Sequence, residues 1–254
     1  MKGAVTRILA TRPAAHNKSW AQGLSDLGYK VCRVPLLSIE PLSLQQEPSI
    51  RAAMADLDHY EYLIFVSMNA VKAMFDVVDL WWPELPVRQR YLAVGAATER
   101  SLKQQLMNYG VAAEVLCHSE MNSEGLLALA ELQAVEHKKI LICRGRGGRP
   151  LLAQVLEERG AQVDYCELYE RAVPQELKQQ LSEYQPTKDD ILPVFSGEAL
   201  NNFSELETCR DIHVLVPSER VKQQALTLGF TQISVAENAS EASMLDAIQK
   251  ATSN

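Results

Sequence analysis

Arg144-Gly145-Arg146-Gly147-Gly148-Arg149 sets three guanidinium groups in a glycine-rich stretch. A guanidinium matches carboxylates and phosphates well, because its planar fork donates two parallel hydrogen bonds. Five further short stretches are small, hydroxyl-bearing or basic: Thr11-Arg12, Ser67-Met68-Asn69, Gly95 to Thr98, Ser196-Gly197 and Pro217-Ser218. Each stands between a short apolar run and an amphipathic stretch. At a strand-to-helix turn, such residues sit beside the free N–H groups and the positive dipole end of a helix. As a set, with Arg12 and Arg144, they suit a ligand that carries several carboxylates or phosphates. Taken singly, Ser67, Thr98, Ser196 and Ser218 have a plainer alternative as helix caps.

Motifs for other chemistries are absent. Gly145-x-Gly147-Gly148-x-Pro150 has proline where the dinucleotide fingerprint needs its third glycine. There is no Walker motif, nucleophile elbow or H-E-x-x-H pair. Cys32, Cys117, Cys143, Cys166 and Cys209 are widely spaced and odd in number, so they read as reduced, mostly small apolar fillers without zinc spacing. A formal charge of −7 argues against a general nucleic-acid binder. Met1 to Arg7 lacks the apolar core of a signal peptide. No apolar run approaches the roughly 18 residues of a spanning helix. The expectation is a cytoplasmic protein with no metal, no organic cofactor and no membrane or nucleic-acid partner. No dimerisation stripe stands out, so the default state is a monomer.

The turns need a scaffold, and 254 residues suffice for two ordinary domains. Short apolar runs at 8–10, 62–66, 91–94, 140–142, 191–195 and 212–216 read as buried strands. Between them lie amphipathic helices, among them 14–27 with Trp20, Leu24 and Leu27 on one face. Pro150 suits a helix start, and Gly160 a left-handed helix end. Residues 30–36 continuing through 38–42 form a long extended stretch, in which Pro35 and Pro41 imply an edge or a connector. Trp81-Trp82-Pro83 closes the helix after Ser67, its indoles packing rather than stacking on bases. Short strands alternating with helices mean parallel α/β sheets.

The pattern occurs twice. Arg12 and Arg144, Gly28 and Gly160, and Val31 and Val163 share an offset of 132 residues. Phe65 to Ala70 resembles Val194 to Ala199, Leu92 to Arg100 resembles Val214 to Arg220, and Ser123 to Leu127 resembles Ser240 to Leu245. Order is kept throughout, so an internally duplicated, two-lobed protein is expected. Leu37 to Pro48 and Tyr165 to Pro174 are the linkers, in matching places of the two repeats. These features lead to a cofactor-free binder of a polyanion, and do not separate an enzyme from a binding module.

The residues also resemble the uroporphyrinogen-III synthase family over nearly the whole chain. The carriers are Leu9-Ala10-Thr11-Arg12-Pro13, Phe65-Val66-Ser67-x-Asn69-Ala70-Val71, Ala93-Val94-Gly95-x-Ala97-Thr98, and Leu141-x-x-Arg144-Gly145-x-Gly147-Gly148-Arg149. Leu156-x-x-Arg159-Gly160-Ala161-x-Val163 and Glu167-x-Tyr169-x-Arg171 add to them. Val216-x-Ser218-Glu219-Arg220 and Ala236 to Ala239 resemble bacterial members in particular. The resemblance implies two parallel-sheet α/β domains joined by a two-strand linker, with the ligand in the cleft between them. Domain 1 would be 1–37 plus 173–254, domain 2 would be 50–163, and 38–49 and 164–172 would be the linker strands.

The implied reaction cyclises hydroxymethylbilane to uroporphyrinogen III, with inversion of ring D and loss of water. The substrate is a linear tetrapyrrole with many carboxylates, which fits the anion-friendly turns. No cofactor is implied. Loss of the hydroxyl needs a proton donor, and the family likeness points to Tyr169, whose alternative is a packing residue of the linker. Arg12 and Arg144, with Gly145 beside it, would hold acetate or propionate groups; Ser67, Thr98, Ser196 and Ser218 would donate hydrogen bonds. Val216-Pro217 and Glu219 depart from the family pattern, and bear on Ser218 as a direct contact. A transient contact with hydroxymethylbilane synthase is a further expectation. The alternatives are a non-catalytic two-lobed binder or sensor of a tetrapyrrole, and a degenerate homologue serving as an interaction domain.

Overall fold

Parallel strands covered on both faces read as unbroken apolar runs, and Tyr62-Leu63-Ile64-Phe65 is one, buried along its whole length. The computed structural model describes residues 6–43, 47–86, 88–120, 122–206 and 209–253. The signal-peptide reading of the first residues and the middle of the first linker, 44–46, lie outside them.

In chain order the fold begins with β1 (Arg7–Ala10), α1 (Ala14–Asp26), β2 (Lys30–Arg33), β3 (Ser38–Pro41), α2 (Pro48–Ala55), β4 (Tyr62–Phe65) and α3 (Met68–Trp81). It continues with β5 (Arg90–Ala93), α4 (Ala96–Asn108), β6 (Val115–Leu116), α5 (Ser123–Ala128), β7 (Lys139–Gly145), α6 (Leu151–Glu158) and β8 (Gln162–Ala172). Then come α7 (Leu177–Tyr184), β9 (Asp190–Pro193), α8 (Gly197–Ser204), β10 (His213–Val216), α9 (Glu219–Thr227), β11 (Gln232–Val235) and α10 (Glu241–Thr252). The chain divides into two compact units, Met1–Ser38 with Ala172–Asn254, and Ile39–Arg171.

The first unit holds a five-stranded sheet in the order β11-β10-β9-β1-β2, parallel throughout its described pairings. Alternate residues of one strand feed opposite layers. Leu9 packs with Leu192, Val194 and Phe203 on one face, and Ile8 and Ala10 pack with Trp20, Ile191 and Ile248 on the other. The second unit holds a six-stranded sheet, β3-β8-β7-β4-β5-β6. Here Leu63, Phe65, Leu141 and Cys143 face one layer, and Tyr62, Ile64, Ile140 and Ile142 the other. The helices bury matching stripes, such as Val71, Met74, Phe75 and Val78 of α3.

Three local expectations are corrected. Leu27 does not share the buried face of α1. The helix ends at Asp26, Gly28 turns the chain at φ +90°, and Leu27 is left 51% exposed. The long second strand is two strands in different sheets. Pro35 has no N–H to donate, and although Val34 and Leu36 still donate to Ala10 and Thr11, the chain then leaves for the other sheet. Arg144 and Gly145 are the last residues of β7 rather than part of the turn, which starts at Arg146. Trp82 does pack, donating its indole N–H to the Met54 carbonyl at 3.0 Å, whereas Trp81 is exposed. Cys143 and Cys166 are buried neighbours on β7 and β8, and burial pushes both thiols up, so they stay protonated and inert.

Two stability predictions arise from the first sheet. Asp190, 1% exposed, accepts two hydrogen bonds of 2.5 Å from the Arg7 guanidinium and one of 2.8 Å from the Thr187 N–H. Asp190→Ala leaves Arg7 and that N–H unpaired, and urea unfolding should show a loss of about 3 kcal/mol. His213 is half-buried beside the Ser234 hydroxyl, 2.9 Å away, and burial lowers its pKa below 6.5. Below that pH the unfolded chain binds the proton more readily than the folded one. The stability His213 contributes is therefore complete above pH 6.5 and declines as the pH falls beneath it. His213→Gln should flatten that part of a stability–pH curve measured by urea titration.

Candidate functional site

Strand order decides which turns meet. In the second sheet β5, β4, β7 and β8 are neighbours, so the turns after β5 and β4 and the end of β7 share one edge, at the carboxyl ends of parallel strands. Ligands of open α/β sheets bind at such edges. A pocket of about 360 Å³ opens there. Its wall includes Val66, Val94, Ser123, Tyr165, Tyr169 and the run Arg144 to Arg149.

Arg144 is 6% exposed, and among the described residues no carboxylate lies within ion-pair distance of it. Its guanidinium stacks over the Tyr165 ring, 4.6 Å from the centroid, and donates to the Gly145 carbonyl at 3.2 Å and the Arg149 carbonyl at 3.3 Å. Buried charges are normally paired. A guanidinium sunk into a pocket wall with only carbonyls and a ring face for company has donors left that an anion could take. The other arginines of the turn are neutralised by the protein itself. Arg146 contacts Glu47, Glu167 and Glu170, and Arg149 contacts Glu124 at 3.0 Å.

Glycines make room for these groups. A Cβ on Gly148 would stand 2.1 Å from Nη2 of Arg144, and one on Gly145 would stand 2.5 Å from Cε2 of Tyr169. Tyr169, 4% exposed, is aimed by a bulge. Arg144 pairs with Glu167 but Gly145 pairs with Tyr169, so Leu168 is an extra residue on β8. Leu168 and Tyr169, although consecutive, therefore pack in one apolar layer. The Tyr169 hydroxyl lies 2.9 Å from Oγ of Ser67, which also caps α3 by accepting from the Ala70 N–H at 3.1 Å.

Arg144, Gly145 and Tyr169 thus stand together in the pocket wall, and Ser67 reaches it through Tyr169. Thr98 is buried in the first turn of α4 and is not part of that wall. The helix there starts at Gly95, φ +91°, with no side-chain cap, so its first N–H groups have no such partner. In the first unit, β1, β9 and β10 are adjacent, which sets Arg12, Ser196 and Ser218 along one sheet edge. Ser196 caps α8 through the Ala199 N–H at 3.1 Å, and Ser218 caps α9 through the Val221 N–H at 3.5 Å. Arg12 stacks on Phe195, 5.0 Å from the ring centroid, and forms an ion pair with Glu241. An anion reaching Arg12 would share the guanidinium with that glutamate or compete with it.

A family model described as uroporphyrinogen-III synthase HemD matches residues 18–246. The chain belongs to the uroporphyrinogen-III synthase family. The uroporphyrinogen-III synthase of Escherichia coli (strain K12) is 32% identical over 258 residues, covering 95% of this chain and 99% of that one. The Salmonella typhimurium protein of the same name is 31% identical over 256 residues, with the same coverage. Among solved structures, a mutant uroporphyrinogen III synthase from the extremely thermophilic bacterium Thermus thermophilus superposes with a TM-score of 0.63 at 17% identity, covering 98% of this chain and 99% of that one. The Helicobacter pylori 26695 enzyme gives 0.58 at 16%, covering 97% and 99%. These structural likenesses establish the two-domain α/β fold of the synthases. Among the described residues there is no group of three or more His, Cys, Asp or Glu able to hold a metal ion, and no helix long and apolar enough to cross a membrane.

Sequence reasoning passed over Tyr165, Gly148 and Ser123 as site residues. The repeated glycines of the turn were the available signal for Gly148, since a glycine beside an arginine can mark a side chain passing close to backbone.

Proposed function

We propose that the chain cyclises hydroxymethylbilane to uroporphyrinogen III, with inversion of ring D and loss of water, as a hydro-lyase of tetrapyrrole biosynthesis. Beside the family membership, the observation that carries this reading is the buried Arg144, without a carboxylate of its own in the wall of a pocket. A substrate propionate or acetate would complete it with a charge-assisted hydrogen bond. Arg12, Ser196 and Ser218 of the first unit, and Ser67 and Thr98 of the second, are proposed as further donors to substrate carboxylates, with Gly145 keeping the backbone close.

Tyr169 is proposed as the group that protonates the departing hydroxyl. The support is the Ser67 contact. Oγ of Ser67 already accepts from the Ala70 N–H, so its own proton can be donated to the phenol oxygen. That leaves the phenol proton for the substrate and places a donor on the phenolate that forms. Departure of water gives an azafulvenium cation, which substrate carboxylates stabilise. The rest is orientation: ring D has to be held so that it attacks through the spiro geometry. Proton transfer and carbon–carbon bond formation need neither metal nor organic cofactor.

The reading extends to the domain division given above, to descent by tandem duplication, and to a cytoplasmic monomer without nucleic-acid or membrane partners. It also includes a transient contact with hydroxymethylbilane synthase, which would pass on a substrate that cyclises spontaneously. The test is kinetic. With hydroxymethylbilane generated enzymatically, added protein should accelerate its conversion to porphyrinogen well beyond the spontaneous rate. A rate equal to the protein-free control, with tetrapyrrole held unaltered on the protein, would mark a binder or sensor instead.

A further inference from the structure

Arg144 has to keep a charged group buried, ready and correctly oriented before any substrate carboxylate arrives. Its two recorded acceptors are carbonyls at 3.2 and 3.3 Å, both at the long end of the hydrogen-bond range. Its other close contact is the Tyr165 ring, whose centroid lies 4.6 Å from Cζ. Tyr165 pairs with Ile142 on β7, two residues before Arg144, so its ring lies diagonally under that side chain on the sheet surface. Gly148 also leaves the group room, since a Cβ there would fall 2.1 Å from Nη2. The guanidinium therefore has an aromatic face and a bare glycine backbone as close neighbours.

We infer that Tyr165 is a positioning residue of the synthase reaction: its ring face holds Arg144 in the orientation that receives a substrate carboxylate. The inference rests on the reading of Arg144 as a substrate anchor. A ring face attracts a guanidinium more strongly when water is excluded, and it orients the group without using any of its N–H donors. The remaining donors are then free for the ligand. A carboxylate in the place of Tyr165 would also hold Arg144, but would neutralise it, as Glu47, Glu167 and Glu170 do for Arg146.

The experiment is a double-mutant cycle read in steady-state kinetics. Tyr165→Leu should raise KM for hydroxymethylbilane about tenfold with kcat changed less than about twofold, whereas Tyr165→Phe, which keeps the face, should behave as the wild type. In an Arg144→Ala background, Tyr165→Leu should add nothing. If Arg144→Ala leaves KM unchanged, the anchor reading itself fails. If Arg144→Ala raises KM but Tyr165→Leu does not, or if the Tyr165→Leu effect persists without Arg144, the positioning role is overturned. Melting temperatures of the four proteins accompany the cycle. A Tyr165→Leu protein that melts far below the others is replaced by Tyr165→Met, for which the same outcomes decide.

Discussion

Tyr169→Phe should lower kcat for uroporphyrinogen III formation by about 100-fold, the lower end of what a positioned proton donor contributes. Phenylalanine keeps the ring volume in the apolar layer that Leu168 and Phe65 share with it, and Gly145 still leaves room for the ring edge. The change removes one oxygen. Ser67 loses that contact but retains its capping bond to the Ala70 N–H, so the unfolding free energy should move by about 1 kcal/mol at most. KM should stay within about threefold, because no substrate carboxylate is assigned to the phenol. Steady-state kinetics and urea unfolding on the same preparation separate these quantities. A kcat equal to that of the wild type would make the Ser67–Tyr169 contact a purely structural one, and the proton would have to come from elsewhere.

Arg144→Ala should act on binding. A charge-assisted hydrogen bond to a carboxylate is worth about 1.5–3 kcal/mol, so KM should rise about 10- to 150-fold. Stability should fall by no more than about 1 kcal/mol, since the lost carbonyl contacts are offset by removal of a buried charge with no counter-charge in the free protein. Arg144→Lys should recover part of the affinity only. An ammonium carries the charge but cannot lie flat on Tyr165 while bridging the Gly145 and Arg149 carbonyls. Initial rates of cyclisation over a range of hydroxymethylbilane concentrations check both variants. An unchanged KM in Arg144→Ala would show that the pocket arginine is not where the substrate is held.

The legible parts of the chain were those in which local chemistry and tertiary role coincide. The runs at Tyr62–Phe65 and Ile140–Ile142 are apolar because both sheet faces are covered. Gly28 and Gly160 could be placed as helix ends because φ values of +90° and +84° are cheap for glycine alone. Arg144 was legible as an anion group from its type and its neighbours. Its burial and its lack of a carboxylate partner were not, because Glu47, Glu167 and Glu170 could equally have turned toward it rather than toward Arg146. The Ser67–Tyr169 contact joins residues 102 apart in sequence, and the extra residue at Leu168 breaks the two-residue alternation that would have put Tyr169 on the opposite face. Periodicity carries neither kind of information. Nor does it reveal that β1 and β2 complete a sheet with β9, β10 and β11; that crossover came from family resemblance.

The identity of the product tests the central claim most directly. Hydroxymethylbilane left alone closes without inverting its last ring and yields isomer I. The protein is therefore incubated with enzymatically generated substrate, the porphyrinogens are oxidised, and the isomers are separated by chromatography. The account predicts a large excess of isomer III, which requires ring D to be held for the spiro path. Isomer I alone, formed at the protein-free rate, would contradict it.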